Sequence, residues 1–432
     1  MSKIRKSFMA ISLLTVFIVL CFAPVSGQDE EIDLLYLIHS QEPGATINQQ
    51  LIDQFEAENP NIRITLDPTP YGSFEQKLLT GIATGQGADL FWMGDWSVPQ
   101  FLDFDMLAPV DPTAFGVDSQ EALISQFDGL SLTPFMKDGE LYSGGISEYN
   151  TFSLIYNPDH FEEAGLPLPS TTEPLTWEQV MGFSPELVQL DDNGNPTRVA
   201  IGWFYGAPIW QNLVLEPMVN QLGGHLVNRE TGEASFDAPE MIRVMEYWKQ
   251  MREINAMDPA FTLDFLDDFA NGRTTMIFGG PWALAAIRSI NPDANLAVAP
   301  LPVFEGGERT TTLYAWAWFV NANAPEANQA AAWKFIDYVT QQQQTWWDEA
   351  GFIQPRAGTA DDGTEITEYR LQQEPLLEVF LNDFQYGEYQ ARSINYNEIS
   401  SILTRVFNRI MEGEDVELVL EQAQTAVGFL AD

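Results

Sequence analysis

Ile32-Asp33-Leu34-Leu35-Tyr36-Leu37-Ile38 is followed by Thr46 to Asn59, in which Ile47, Leu51, Ile52 and Phe55 fall at helical spacing. The two stretches read as a buried strand running into an amphipathic helix, which Pro60 ends. The same unit then repeats. Ile62-Arg63-Ile64-Thr65-Leu66 alternates as a second strand, Phe74 to Thr84 forms a second amphipathic helix, and Ala88-Asp89-Leu90-Phe91-Trp92-Met93 is a third strand. Strands alternating with helices dictate a parallel sheet in an α/β body. In open sheets of this kind ligands gather at the loops beyond the carboxyl ends of the strands. Here those loops are His39-Ser40-Gln41-Glu42, Tyr71-Gly72 and Gly94-Asp95-Trp96.

Upstream of the first strand, Lys3, Arg5 and Lys6 precede an apolar run from Phe8 to Ala23, then Pro24-Val25-Ser26-Gly27 and an acidic Asp29-Glu30-Glu31. The pattern predicts a signal peptide over residues 1–27, with an uncleaved anchor as the other reading. The single cysteine, Cys21, follows Leu20 where a lipoprotein site carries a small residue, so no lipid is expected there. Cleavage after Gly27 removes the only thiol and leaves stability to core burial. The product is expected to be exported, in a periplasm or at the outer face of the cell membrane. About four hundred mature residues exceed what one core supports, so two lobes are expected.

The chain has 20 Lys+Arg against 62 Asp+Glu, a formal net charge of −42. Nucleic acid is excluded as a partner, because phosphate binding needs clustered Lys and Arg. With 45% hydrophobic residues, the acid excess reads as the solvated surface of a folded body.

The stretch from Phe269 to Trp282 ends a strand of small and apolar residues in the turn Gly279-Gly280-Pro281-Trp282. The glycines permit a tight turn, and Pro281 suits the first position of a helix, where its missing N–H costs nothing. Trp282 then stands at the helix start, either as a flat platform for a ligand or as a buried plug. Asp95-Trp96, Trp203 within Ile201-Gly202-Trp203-Phe204-Tyr205, Trp210, and Trp316 with Trp318 are the other aromatic candidates. In the alternating Tyr314-Ala315-Trp316-Ala317-Trp318 the two indoles share a face, so both line a cleft or the second packs inward.

Further blocks recur in a set order: Glu58-Asn59-Pro60, Gly85-Gln86-Gly87-Ala88-Asp89, Asp138-Gly139-Glu140-Leu141-Tyr142, Leu154-Ile155-Tyr156-Asn157, Phe161-Glu162-Glu163-Ala164-Gly165-Leu166, Thr176-Trp177-Glu178, Ala299-Pro300-Leu301-Pro302, Ala331-Ala332-Trp333-Lys334-Phe335-Ile336 and Gly351-Phe352-Ile353-Gln354-Pro355-Arg356. With Gly280-Pro281-Trp282 they make the chain resemble the family 1 extracellular solute-binding proteins of ABC importers, the sugar receptors related to maltose-binding protein. The resemblance covers nearly all of residues 32–427. It implies a bilobal periplasmic-binding-protein fold (type II) of two α/β lobes joined by multiple hinge crossings. Residues 28–147 and 317–355 would form lobe 1, and 148–316 and 356–432 lobe 2. Crossings are expected near 145–150, 313–317 and 354–358, with Gly144-Gly145 either a hinge or an ordinary turn. One departure is Gly182-Phe183-Ser184-Pro185, which should break the helix opened by Thr176.

The resemblance also implies site residues. Trp282 would stack on a sugar, with Trp316 favoured over Trp318. Asp95 matches the family's acid in its turn, and Asn150 matches its crossover motif, although Ser147-Glu148-Tyr149 replaces the three residues before it. Arg356 either meets the ligand or ties the hinge through an ion pair, and Glu398 either meets the ligand or caps its helix. Gln41 and Glu42 join these as hydroxyl partners, because sugars need flat rings for their C–H faces and polar groups for their hydroxyls. The expected ligand set is Gln41, Glu42, Asp95, Trp96, Tyr149, Asn150, Trp203, Trp282, Trp316, Arg356 and Glu398.

The usual catalytic toolkits are missing. The three histidines, His39, His160 and His225, have no zinc-helix spacing, and no nucleophile elbow or phosphate loop occurs. Asp191-Asp192-Asn193-Gly194-Asn195 lacks the glycine and glutamate of a calcium loop and reads as a hairpin turn. No catalytic residue, metal or cofactor is therefore expected. The function implied is that of a monomer capturing a small-molecule carbohydrate by hinge closure and delivering it to ABC permease subunits. A receptor for a cationic, polyamine-like solute and a carboxylate-pair glycoside hydrolase are the alternatives.

Overall fold

The computed structural model describes residues 31–128, 130–205, 208–228, 231–262 and 264–430. The expected signal peptide, with Cys21, lies outside the described residues. Among those described, no helix is long and apolar enough to cross a membrane.

Two sheets organise the chain into a bilobal α/β fold. In the first, the strand Ile32–His39 pairs in parallel with Ile62–Thr69, from Ile32 opposite Ile62 to His39 opposite Thr69. On its other side it pairs in parallel with Leu90–Gly94. The helices between these strands, Gly44–Glu58 and Tyr71–Ala83, bury Ile47, Leu51, Ile52 and Phe55 and Phe74, Leu78 and Ile82. Those are one-sided stripes at the 3.6-residue period, and they set the helices against the sheet. Thr311–Val320 runs antiparallel to Leu90–Gly94 on one side and to Gly145–Thr151 on the other.

The second sheet has the order Ala297–Ala299, Ser153–Tyr156, Thr274–Gly279, Pro196–Ile201, Gln189–Leu190. The last two strands form the hairpin whose turn is held by Asp191, its Oδ1 accepting from the N–H groups of Asn193 and Asn195. The chain leaves the first sheet and enters the second across one residue, Phe152. Helices Tyr396–Met411 and Val416–Gly428 pack on Pro208–Gln221 and Pro239–Glu253 beside the second sheet.

Two local expectations change. The helix Trp177–Leu187 runs through Pro185, opened by a capping box of Thr176 and Gln179. Pro185 lies in the last turn, where only one backbone bond is forfeited, and Ser184 Oγ donates to Val180 O across 2.7 Å. Gly144 and Gly145 are not in the left-handed region. A Cβ on Gly145 would stand 2.6 Å from Ile336 Cγ2 and 2.7 Å from Thr340 Cγ2. Close helix-to-strand approach, rather than rotational freedom, requires glycine there.

The indole pair also separates. The ladder between Thr311–Val320 and Gly145–Thr151 has a register shift between Trp316 and Ala317. Trp318 is buried in the first core and donates from Nε1 to Tyr36 Oη. Trp316 reaches the cavity described next.

Candidate functional site

A cavity of about 490 Å³ lies between elements of the two sheets. From the first sheet come His39, at the carboxyl end of its strand, then Gln41 and Glu42 in the turn that follows, and Trp92, Glu148 and Trp316. From the second side come Trp210, Asp264, Phe265 and the helix Trp282–Ile290, while Glu349 and Phe352 close one edge. Loops beyond strand ends thus supply part of the wall, as the parallel topology requires.

The walls are aromatic on both sides. His39 stacks on Trp92 with ring centroids 4.7 Å apart and meets the edge of Trp316 at 4.7 Å. Opposite, Trp210 and Trp282 have centroids 5.6 Å apart. Gly280 permits this placement, because a Cβ there would stand 2.8 Å from Trp282 Nε1. Trp282 Nε1 donates to Tyr314 Oη across 2.6 Å, which fixes the plane of the ring.

The inner polar groups are uncharged near neutrality. Glu148 is buried, and burial pushes its carboxyl up to about 8 despite the amide of Asn150, which donates to Oε1 at 2.5 Å. Burial pulls the imidazole of His39 down to about 4. Between those values Glu148 is a neutral donor and acceptor and His39 a neutral imidazole. The exposed carboxylates of Glu42, Asp264 and Glu349 stand at the rim. Among the described residues, no group of three or more His, Cys, Asp or Glu is set to hold a metal ion.

Of the eleven residues expected from sequence, Gln41, Glu42, Trp282 and Trp316 line this cavity and the other seven do not. Asp95 is buried behind it, with Oδ1 accepting from Ala315 N at 3.0 Å and Oδ2 at 3.4 Å from Arg392 Nε. Arg392 also pairs with Glu216 at 3.0 Å. Trp96 supports Trp316 edge-on at 4.9 Å and donates to Glu75. Tyr149 turns to the far face of its strand, stacked on Phe384. Asn150 acts through Glu148. Trp203 is a core residue packed on Trp248 and Phe407. Arg356 is held by Asp337 at 2.7 Å, by Thr340 and by Gln126, which is the ion-pair reading of that residue. Glu398 is exposed in the first turn of the helix Tyr396–Met411.

Sequence reasoning missed Trp92, Glu148, Phe265, Glu349 and Phe352, and weighed Trp210 without choosing it. It named His39 only as the start of a loop. Trp92 and Glu148 lie in strands buried on both faces, where no alternation tells one face from the other.

The family model for bacterial extracellular solute-binding proteins matches residues 39–346. The chain belongs to that family. This solute-binding protein is 24% identical over 298 residues to a binding protein of Brucella abortus, covering 66% of each chain. It is 23% identical over 312 residues to the maltotriose-binding protein of Pyrococcus abyssi, covering 70% of this chain and 61% of that one. The match thus spans a little under two thirds of these relatives' own length. Among solved structures, an ABC substrate-binding protein of Listeria monocytogenes in complex with cycloalternan superposes with a TM-score of 0.77 at 18% identity, covering 93% of this chain and 99% of that one. A solute-binding protein of Thermotoga lettingae bound with alpha-D-tagatose gives 0.76 at 21% identity, covering 93% and 100%. These two share the fold of this solute-binding protein.

Proposed function

We propose that this protein captures a sugar or oligosaccharide between its lobes, acts as a receptor rather than an enzyme, and hands its ligand to ABC permease subunits. The observation that carries this reading is the cavity itself, in which Trp282 and Trp210 face Trp316, Trp92 and His39, with Glu148 and His39 uncharged near neutrality inside and the carboxylates at the rim. Flat rings suit the C–H faces of pyranoses, and neutral hydrogen-bonding groups suit hydroxyls. A cationic ligand would call for an ionised carboxylate among the rings, whereas the innermost acid, Glu148, is held protonated near neutrality. The size of the cavity falls within the roughly 300–1,000 Å³ of small-molecule sites. The maltotriose-binding relative and the tagatose- and cycloalternan-bound structural neighbours support the same ligand class.

On this reading lobe 1 comprises 28–147 with 317–355 and lobe 2 comprises 148–316 with 356–432, the two crossing strands being shared. A ligand touching both walls binds the closed form better and shifts the population toward it. Gln41, Glu42, Glu148 and His39 meet the hydroxyls and the four indoles meet the rings. The protein works as an exported monomer, in a periplasm or on the outer face of the membrane.

Isothermal calorimetry of the purified protein against a panel of mono- and oligosaccharides, polyamines and metal ions tests this. A carbohydrate hit that Trp282→Ala weakens by about 2–4 kcal/mol, the scale of a buried aromatic anchor, is the expected result. Binding of a polyamine with no sugar response, or glycoside cleavage, would refute it.

A further inference from the structure

Behind the crossing strand Gly145–Thr151 lies a second cavity, of about 430 Å³. Successive residues of a strand point to opposite faces, so Glu148 lines the front cavity while Tyr149 lines the rear one. Arg370, on the helix Ile366–Gln373, also lines the rear cavity and is only 3% exposed. Its Nη1 donates to Gln354 O at 3.2 Å, while Nε and Nη2, both enclosed, have no partner among the described residues.

That vacancy is out of keeping with the rest of the chain. The buried guanidinium of Arg392 has Asp95 and Glu216, Arg356 has Asp337, and Arg198 has Glu163. With 62 acids available against 20 bases, a buried unpaired guanidinium is costly and avoidable. Glu365, which also lines the cavity, is the opposing charge beside Arg370, yet its carboxylate accepts from Glu368 N and from the Thr367 hydroxyl of the helix it caps. Asp128 also lines the cavity, and no ion pair joins it to Arg370 among the described residues.

We propose that the rear cavity is a second binding site, for a small organic carboxylate with an apolar or aromatic body. Nε and Nη2 lie along one edge of the guanidinium, the fork that matches the two oxygens of a carboxylate. The stacked Tyr149–Phe384 pair, with centroids 4.7 Å apart, and Ile353, Leu377 and Leu381 offer the apolar wall. Burial holds the guanidinium of Arg370 down to about 10, in keeping with a cation that lacks its counter-charge. The assignment is independent of what the front cavity binds.

Fluorine NMR with para-fluorobenzoate as the probe tests it on the full protein. The expected result is line broadening by the wild-type protein, with para-fluorobenzyl alcohol, which lacks the charge, unaffected. Arg370→Gln should weaken the probe by about tenfold or more, the loss of a bidentate charged contact. Leu381→Trp, which fills the cavity and leaves the guanidinium in place, should do the same, so the test survives if Arg370→Gln fails to fold. No broadening with wild-type protein, equal broadening with Arg370→Gln or with Leu381→Trp, or displacement of the probe by an equal concentration of inorganic phosphate would overturn the proposal.

Discussion

The indole of Trp282 donates to the hydroxyl of Tyr314 across 2.6 Å, joining a helix that follows the second sheet's strand to a strand of the first sheet. Trp282 opens the helix after Thr274–Gly279, and Tyr314 lies in the long strand Thr311–Val320 of the first sheet. The ring that faces the cavity is therefore oriented by the opposite half of the fold. Tyr314→Phe removes the acceptor and keeps the packing. The expected effect is a loss of about 1 kcal/mol in sugar affinity, the net worth of one hydrogen bond, with the melting temperature little changed. Calorimetry and differential scanning fluorimetry on one preparation separate the two; unaltered affinity would show that the ring holds its plane by packing alone.

Glu148 makes stability depend on pH. Its carboxyl is raised to about 8 in the folded protein by burial, while the unfolded chain ionises near 4.3. The folded state therefore holds a proton that the unfolded state has already released. Stability is full below the unfolded value and falls from there as pH rises to the folded one, by about 5 kcal/mol in total. Glu148→Gln should flatten that limb, and melting curves taken between about pH 4 and pH 8 would reveal it. A variant that loses stability over that range as steeply as wild type would assign the limb to another group.

His39 acts on the other side. Burial lowers it to about 4, so its contribution is present above the unfolded value near 6.5 and is lost as pH falls through the folded one. His39→Gln should be relatively more stable than wild type at acidic pH. Sugar affinity should be level between the two titrations and fall on either side, which a calorimetric pH series measures.

Arg392 stands between Asp95 at 3.4 Å and Glu216 at 3.0 Å, with its guanidinium carbon 4.3 Å from the centroid of the Tyr396 ring. Arg392→Met strands two buried carboxylates. A destabilisation of about 3–5 kcal/mol is expected, and adding Asp95→Asn with Glu216→Gln should recover most of it. Chemical denaturation of the three proteins gives the answer, and failure of the triple variant to recover would mean that packing around Arg392 outweighs its charge.

Gly280→Ala drives a methyl to within 2.8 Å of Trp282 Nε1. The indole must swing, so sugar binding should weaken by about 1–3 kcal/mol, the scale of overpacking a tight site. Tryptophan fluorescence and calorimetry would register the swing together.

Much of this fold was legible. The stripes Ile47, Leu51, Ile52, Phe55 and Phe74, Leu78, Ile82 are period signals within one element, and such signals need no knowledge of the partner. The turn at Gly280 was equally local. The site was less so, because its residues are chosen by partners distant in sequence. Asp95 carries the look of a ligand acid, yet its carboxylate is committed to Arg392 and to Ala315 N, some 220 residues and more away. Arg356 is claimed in the same way by Asp337 and Gln126. Trp203 and Trp316 sit in equally apolar contexts, and the placement of the helices Pro239–Glu253 and Tyr396–Met411, which bring Trp248 and Phe407 onto Trp203, makes one core and leaves the other at the cavity.

Gly145–Thr151 and Thr311–Val320 run side by side through the region that joins the halves, laddered from Leu313 opposite Thr151 to Trp318 opposite Gly145. Two laddered strands behave as a leaf spring rather than a tether: they flex readily across their flat face and resist shearing within it. In the clamp proposed above, opening would bend this ribbon across its flat face, and reclosing would bring Trp282 and Trp316 back to the same opposed alignment.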